Sequence, residues 1–326
     1  MTTTDQKLRS NLSIDGINKP ISALALGTAF YNPESKDECF GIMDSYLDLG
    51  GTVVDTGRQY GESEEVVGQW LEKSAARDRM VVITKCAHGP GLLPADGFEE
   101  VVTQELAESL MHLRTDYVDL YVLHRDNPSV PVGRILDRLN AEIDGGRVVA
   151  LGASNWSYAR AEEANEYARQ HGMRGFAVVS NNLSLAVPEG PFYPGLVSAD
   201  QDGERWHQNT SIPLLSWSSQ ARGFFTGRYT PDMRDKVGSI DDKFTKRMVE
   251  IYCTDANFER LKRANQLANE KQDYTAVQIA LAWLLHKPFP VIPIVGPHTP
   301  EELVSCADAT GIKLTEAETK WLQLDV

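Results

Sequence analysis

Residues 117–124 read Tyr-Val-Asp-Leu-Tyr-Val-Leu-His: an apolar run of the β-branched, aliphatic and aromatic type that stops on an imidazole. Two runs upstream have the same design. Residues 51–55, Gly-Thr-Val-Val-Asp, stop on a carboxylate, and residues 80–85, Met-Val-Val-Ile-Thr-Lys, stop on an ammonium. One amphipathic helical stretch separates each run from the next, which is the pattern of consecutive parallel strands in an α/β fold. In such a sheet the carboxyl ends of neighbouring strands lie side by side, so Asp55, Lys85 and His124 are expected to converge on one pocket.

Working outward, the alternation continues in both directions. Strand candidates fall at 21–26, 51–55, 80–84, 117–123, 148–153, 176–180, 212–217 and 291–295, with helical patterns in most of the gaps. Ser35 is placed to cap the helix carrying Phe40, Ile42, Met43 and Leu47, and the pairs Gly50-Gly51 and Gly145-Gly146 end helices just before strands. Strand one runs into Leu-Ala-Leu-Gly-Thr-Ala-Phe-Tyr at 24–31, with none of the glycine spacing of a dinucleotide-binding turn. Eight units of this kind predict a (β/α)8 TIM barrel. An Asp15-Gly16 pair between short extended runs predicts a β-hairpin over 8–20 ahead of the barrel. Long loops are expected at 183–205 after strand six and 220–256 after strand seven, on the face where barrel active sites form. No repeat or linker divides the chain, so residues 1–326 read as one domain.

Composition narrows the class of function. A formal net charge of −14 and a pI near 5.0 argue against a nucleic-acid surface, which needs clustered Lys and Arg. Cys39, Cys86, Cys253 and Cys306 are far apart and lack metal-type spacing, so reduced thiols are expected, with no metal site. The opening decapeptide is polar, and the most apolar helical stretch, 276–285, contains Gln278 and is too short to span a bilayer. A cytoplasmic protein with a small-molecule substrate and no membrane partner is expected; monomer or homo-oligomer stays open.

With Asp-Thr-Gly-Arg-Gln-Tyr-Gly at 55–61, Ile-Thr-Lys at 83–85 and Tyr-Val-Leu-His at 121–124, the chain resembles the aldo-keto reductases, (β/α)8 barrels that reduce carbonyls with NADPH. The likeness runs nearly end to end. Gly-Ala-Ser-Asn-Trp at 152–156 resembles the family's nicotinamide segment, 218–229 its pyrophosphate loop, and 294–303 its adenosine-phosphate segment.

The resemblance implies a catalytic tetrad of Asp55, Tyr60, Lys85 and His124. Each role has independent chemical sense. A carbonyl that accepts hydride becomes an alkoxide and needs a proton; Tyr60 can supply it if Lys85 lowers the phenol pKa. Asp55 would keep Lys85 charged, and His124 would hydrogen-bond the substrate oxygen. For the cofactor the resemblance implies Gly27, Thr28, Asp55, Ser154, Asn155 and Ser180, with Trp217 stacking on the ring. It adds Ser218, Gln220, Arg222, Gly223, Phe225 and Gly227 on the pyrophosphate, and Val295, Gly296, His298, Thr299 and Glu302 near the adenosine end.

Two departures from the family pattern shape the cofactor expectation. Ser180 stands where relatives often carry Gln, and the segment after strand eight offers Gly296, His298 and Glu302 where many place Lys or Arg on the 2′-phosphate. Thr299, Pro300 and Glu302 read as a capping box whose helix start could still bind phosphate, opposed by Glu301 and Glu302. NADP(H) is therefore favoured with weakened selectivity, and NAD(H) is possible.

The substrate mouth is expected to be bounded by Phe30, Tyr31, Arg125 and Trp156, suiting an aldehyde, ketone, quinone or keto sugar. Arg125 and Asp126 either line that mouth or pair with each other. His88, His112 and His171 show no partner spacing and read as surface or loop residues. Two other functions stay in view: a nicotinamide-sensing regulatory subunit with little turnover, and a hydrolase built on barrel-end carboxylates.

Overall fold

Eight parallel strands pair in sequence order and close on themselves. The computed structural model describes residues 6–88, 96–271 and 274–325. The strands are β1 (Ala25–Gly27), β2 (Val53–Asp55), β3 (Val81–Cys86), β4 (Val118–Leu123), β5 (Val148–Ser154), β6 (Phe176–Ser180), β7 (Leu214–Ser216) and β8 (Val291–Val295). Closure rests on Ala25 and Leu26 of β1 lying opposite Ile294 and Val295 of β8. The (β/α)8 barrel expected from the sequence is the observed fold.

Side-chain alternation along these strands decides what the barrel holds. Val53, Val81, Ile83, Leu120, Val122, Ala150, Val178, Leu215 and Ile292 pack together inside the barrel, while Val54, Val82, Tyr121 and Leu123 pack outward against the helices. With a period of two, the next inward positions on β2, β3 and just past β4 are Asp55, Lys85 and His124. Three strand ends thus aim three titratable groups at one point.

The helical ring comprises α1 (Lys36–Asp48), α2 (Ser63–Ser74), α3 (Phe98–Leu113), α4 (Val132–Asp144), α5 (Tyr158–His171), α6 (Gln201–Thr210), α7 (Lys243–Tyr252), α8 (Asp255–Glu270), α9 (Ala276–Leu285), α10 (Pro300–Asp308) and α11 (Glu316–Leu322). Gln278 of α9, polar in an otherwise apolar helix, belongs to a capping box with Thr275 and donates to the Ser305 carbonyl. Contact between α2 and α3 is close enough to require glycine: a Cβ on Gly68 would lie 2.2 Å from the His112 carbonyl oxygen and 2.7 Å from the Leu113 carbonyl carbon. Backbone atoms cannot rotate aside. Gly68→Ala is expected to destabilise the fold by about 1–3 kcal/mol, read as a lowered midpoint in denaturant; an unchanged midpoint would show that the helices separate freely.

Three sequence expectations need correction. The hairpin over 8–20 is not formed: the chain there makes one antiparallel bridge, Arg9 with Ser22, and a tight turn at Asp15-Gly16. Its apolar residues are used otherwise, because Ile14, Ile17 and Ile21 pack into the barrel's interior core and plug its amino-terminal end. Ser35 makes no side-chain cap to α1; Asn32 instead accepts from the Ser35 amide in the preceding turn. The long segment 220–256 is substantially helical, since α7 buries Met248, Val249, Ile251 and Tyr252 on one stripe. The segment after β6 is irregular until α6 begins at Gln201.

The four cysteines are buried and unbridged. Among the described residues no helix is long and apolar enough to cross a membrane, and no cluster of His, Cys, Asp and Glu is arranged to hold a metal.

Candidate active site

Lys85 Nζ lies 2.5 Å from Asp55 Oδ1 and donates to the Thr56 carbonyl at 2.8 Å. The same ammonium sits 4.8 Å from the centroid of the Tyr60 ring, and the Tyr60 and His124 rings meet edge to face at 5.6 Å. Tyr60 reaches this point through the loop after β2. There the Arg58 amide donates to the Lys85 carbonyl and the Tyr60 amide to the Gly57 carbonyl, folding the loop across the end of β3. All four residues of the expected tetrad are brought together.

Burial sets the protonation of this cluster. It pushes the Asp55 carboxyl up against the opposing pull of Lys85; in Lys85, burial pulls downward but the charges of Asp55 and Tyr60 outweigh it, holding the ammonium above the ordinary lysine value. Tyr60 departs from expectation. Burial raises the phenol pKa, Lys85 opposes this, and Asp55 adds to the rise, so the net shift is upward. The phenol is fully protonated at neutral pH. His124 is held well below the ordinary imidazole value by burial first and then by Lys85, His88 and Arg125, so it is neutral.

His88, read from sequence as a surface or loop residue, is part of this site. Its Nδ1 lies 3.0 Å from Nδ1 of His124, with ring centroids 4.3 Å apart and planes at 81°. His112, partly exposed on α3, faces Glu64 at 3.7 Å, and His171, at the end of α5, stacks on Tyr167. Arg125 and Asp126 do not pair. The Arg125 guanidinium donates to the carbonyls of His88 and Gly195, while Asp126 faces Arg160 at 3.3 Å.

Residues implied for the nicotinamide end form a dense network. Ser154 donates to the Ser180 carbonyl at 2.7 Å, and Asn155, at φ 59°, donates to the His124 carbonyl and to Ser154 Oγ. The Asn155 side-chain oxygen accepts from the Val197 amide at 3.1 Å, tying down the loop after β6. Asn181, next to Ser180, is committed to the Asn155 amide and the Trp156 carbonyl. Ser180 Oγ and Trp217 Nε1 are buried without a partner. Thr28 is buried against Asp55 and Ser63, and Gly27 is required by packing, since a Cβ there would meet Ile294 Cγ2 at 2.7 Å.

The turn after β7 has an unusual, largely left-handed backbone. Ser218, Ala221, Arg222, Gly223 and Gly227 all have positive φ, the backbone of a tight turn in which the amides of Ala221, Gly223 and Gly227 donate to the carbonyls of Ser218, Gln220 and Phe224. The Arg222 guanidinium lies 4.3 Å over the Phe192 ring, and its Nε is buried without a partner. Gln220 donates to Cys306 Sγ, and Phe225 is buried. After the buried Val295, Thr299 caps α10 by accepting from the Glu302 amide. The Glu302 carboxylate reaches past the N-cap to the His298 amide at 2.8 Å rather than closing the expected capping box. The partnerless polar atoms of Ser180, Trp217 and Arg222, buried at the ends of β6 and β7 and in the turn that follows, fit a polar dinucleotide carrying a carboxamide and a pyrophosphate.

Of the expected substrate residues, Phe30 is 73% exposed and faces His298 with ring centroids 6.0 Å apart. Tyr31 is buried at 6% exposure, and Trp156 is 0% exposed, packed edge to face on Phe176. Trp156 therefore offers no surface to a substrate. Exposed aromatics that sequence reading missed are Tyr193 after β6 and Phe244 at the start of α7, whose ring centroids lie 5.0 and 5.5 Å from the buried Phe192. Their signal was the Pro-Phe-Tyr-Pro run at 191–194, two large aromatics in a polar loop. A groove of about 700 Å³ lies at the opposite, amino-terminal face, lined by Ile14, Arg169 and Arg174, away from the strand ends that carry the titratable groups.

The sequence matches the aldo/keto reductase family over residues 23–323. The chain belongs to that family, whose members are oxidoreductases that act on small molecules with a nicotinamide cofactor. It is 26% identical over 340 residues to norsolorinic acid reductase B of Dothistroma septosporum, covering 99% of this chain and 82% of that protein. It is 28% identical over 303 residues to an aryl-alcohol dehydrogenase of Pestalotiopsis microspora, covering 89% and 72%. The solved glycerol dehydrogenase of Gluconobacter oxydans superimposes with a TM-score of 0.73 at 25% identity, over 95% of this chain and 93% of that one.

Proposed function

We propose that the chain, as one barrel domain, reduces the carbonyl of an aldehyde or ketone with Tyr60 as proton donor, Lys85 and Asp55 as its support, and His124 as the hydrogen-bond donor to the substrate oxygen. The observation that carries this reading is the Lys85 ammonium, paired with Asp55 at 2.5 Å and lying 4.8 Å from the Tyr60 ring. A nicotinamide held by the turn after β7 and by Ser154, Asn155, Ser180 and Trp217 supplies the hydride when bound.

The proton follows from the electrostatics. A phenol raised by burial keeps its proton until an oxygen more basic than itself appears beside it, and an alkoxide formed from the carbonyl is such an oxygen. As the proton leaves, Lys85 stabilises the phenolate, an interaction weaker in the ground state than in the transition state. Asp55 keeps the amine charged. Neutral His124 points hydrogen bonding, not charge, at the reacting oxygen. The product is the alcohol, and Tyr60 regains its proton from water.

The exposed aromatics Phe30, Tyr193 and Phe244, the last two packed on the buried Phe192 that Arg222 overlies, favour aromatic carbonyl compounds, in keeping with relatives named for norsolorinic acid and aryl alcohols. A panel of aromatic and aliphatic aldehydes and keto sugars, followed by loss of reduced-nicotinamide absorbance, tests this. Turnover confined to sugars would refute the aromatic preference, and no turnover with any carbonyl, beside tight cofactor binding, would favour the regulatory-subunit reading.

We further propose NADP(H) as cofactor with weak selectivity. The start of α10 is the phosphate site, but Glu302 already occupies the His298 amide and Glu301 adds negative charge to the first turn. A helix start contributes about 0.3–1 kcal/mol to anion binding, so NADPH is expected to lead NADH by only about two- to fivefold in kcat/KM. A preference for NADH would overturn this assignment.

A further inference from the structure

We propose that His88 is a positioning residue that holds His124 in the tautomer carrying its proton on Nε2, so that His124 can donate to a carbonyl oxygen at the barrel mouth. This rests on the carbonyl-reductase reading of the site.

The contact joins Nδ1 to Nδ1 at 3.0 Å between rings set at 81°. Two lone pairs repel at that distance, and two N–H groups collide, so one proton lies between the rings. Only two arrangements satisfy this for neutral imidazoles. In the first, His88 donates from Nδ1, His124 accepts, and the proton of His124 is on Nε2. In the second, His124 donates from Nδ1 and presents a bare Nε2 lone pair, which repels a carbonyl oxygen instead of binding it. Reduction needs the first.

Burial favours the same arrangement. Whichever ring accepts at Nδ1 carries its proton on Nε2, and the other ring is left with a bare Nε2. In the first arrangement that bare nitrogen belongs to half-buried His88, where water can reach it; in the second it belongs to His124, which is 7% exposed. Both rings are held in place by their backbones: Arg125 donates to the His88 carbonyl at 3.2 Å, and Asn155 donates to the His124 carbonyl at 3.2 Å. The charged and titratable neighbours facing the pair are Lys85 on β3, Arg125 just past β4 and Tyr60 from the loop after β2. The two cations oppose an imidazolium on either ring, which keeps the shared proton a matter of tautomer rather than charge.

The test is made on the full chain with isotopically labelled histidine, by reading the tautomer-sensitive ring carbon and nitrogen shifts of His124, assigned with His124→Asn. Wild-type protein is expected to show His124 protonated on Nε2. His88→Phe removes the donor and is expected to lower kcat/KM about five- to tenfold, chiefly through kcat, and to shift the His124 signals toward a mixture. His88→Asn, whose amide nitrogen stands near the position of Nδ1, is expected to restore activity to within about twofold. The proposal is overturned by an Nδ1-protonated His124 in wild-type protein, by wild-type shifts and activity in His88→Phe, or by equal impairment of the Phe and Asn variants. Should His88→Phe fail to fold, the wild-type spectrum still decides. Absence of carbonyl turnover in wild-type protein would remove the reductase reading, while the tautomer would remain readable.

Discussion

Replacing Tyr60 with Phe is expected to lower kcat/KM for an aromatic aldehyde by about 10²–10⁴-fold, the range of a lost general acid, with the dissociation constant for NADPH little changed. The reasoning separates the phenol oxygen from the ring. Phe keeps the face on which the Lys85 ammonium lies and the edge contact with His124, so the pocket stays packed. What disappears is the hydroxyl proposed to give a proton to the nascent alkoxide. Neutral His124 cannot substitute efficiently, because burial and three cationic or imidazole neighbours disfavour its imidazolium form, and the N–H left on a neutral imidazole is a weaker acid than a phenol. Turnover above about a tenth of wild type in the Phe variant would mean that the proton comes from elsewhere, since even a modest general acid contributes 10²-fold.

Lys85→Met is expected to cost both chemistry and stability. The substitution leaves the Asp55 carboxylate, 3% exposed, without its counter-ion at 2.5 Å, and stripping one member from a buried pair destabilises by about 3–5 kcal/mol. Thermal unfolding and denaturant midpoints measure the loss, and the activity assay is run where the variant remains folded. The deficit also carries a pH signature. Burial already raises the Asp55 carboxyl with the ammonium present, and it rises further without it. A carboxyl whose folded pKa exceeds its unfolded value weakens the fold as pH climbs from the unfolded pKa, near 4, toward the folded one. The variant should therefore lie closest to wild type in mild acid and fall further behind at neutral pH. A deficit independent of pH would show that Asp55 does not carry the strain. Asp55→Asn is the companion variant: it leaves a buried amine in a site where burial favours its neutral form, which should also diminish support for the phenolate.

Three of the four clustered residues were legible because they obey two local rules at once, while Tyr60, in the loop after β2, was legible only through the family resemblance. Asp55, Lys85 and His124 each end an apolar run, and all three keep the inward parity of the strand that precedes them: Val53 to Asp55, Ile83 to Lys85, Val122 to His124. Counting that parity would have pointed to Ser154, Ser180 and Trp217 too, which continue the inward series of Ala150, Val178 and Leu215. His88 escaped because it lies past the end of β3, where the period no longer applies, and its meeting with His124 depends on how two loops turn. Trp156 was misplaced for the converse reason. It follows a functional segment in sequence, yet the left-handed backbone at Asn155 ends the strand's alternation, and the indole is buried against Phe176.

The hairpin over 8–20 shows the same limit. Its turn residues promised local pairing, but Ile14, Ile17 and Ile21 gain more by filling the open end of the barrel.

The amino-acid sequence alone determined the eight-strand alternation, the closed barrel and the residue types at its strand ends, because strand periodicity and helix punctuation are short-range properties of the chain. Only the tertiary structure decided that the loop after β6 is tied to Asn155, which aromatics stay exposed, that the phenol of Tyr60 is raised rather than lowered, and that the rings of His88 and His124 meet at 3.0 Å. Those outcomes depend on burial and on distances between residues remote in sequence, and both quantities come into existence only when the barrel closes.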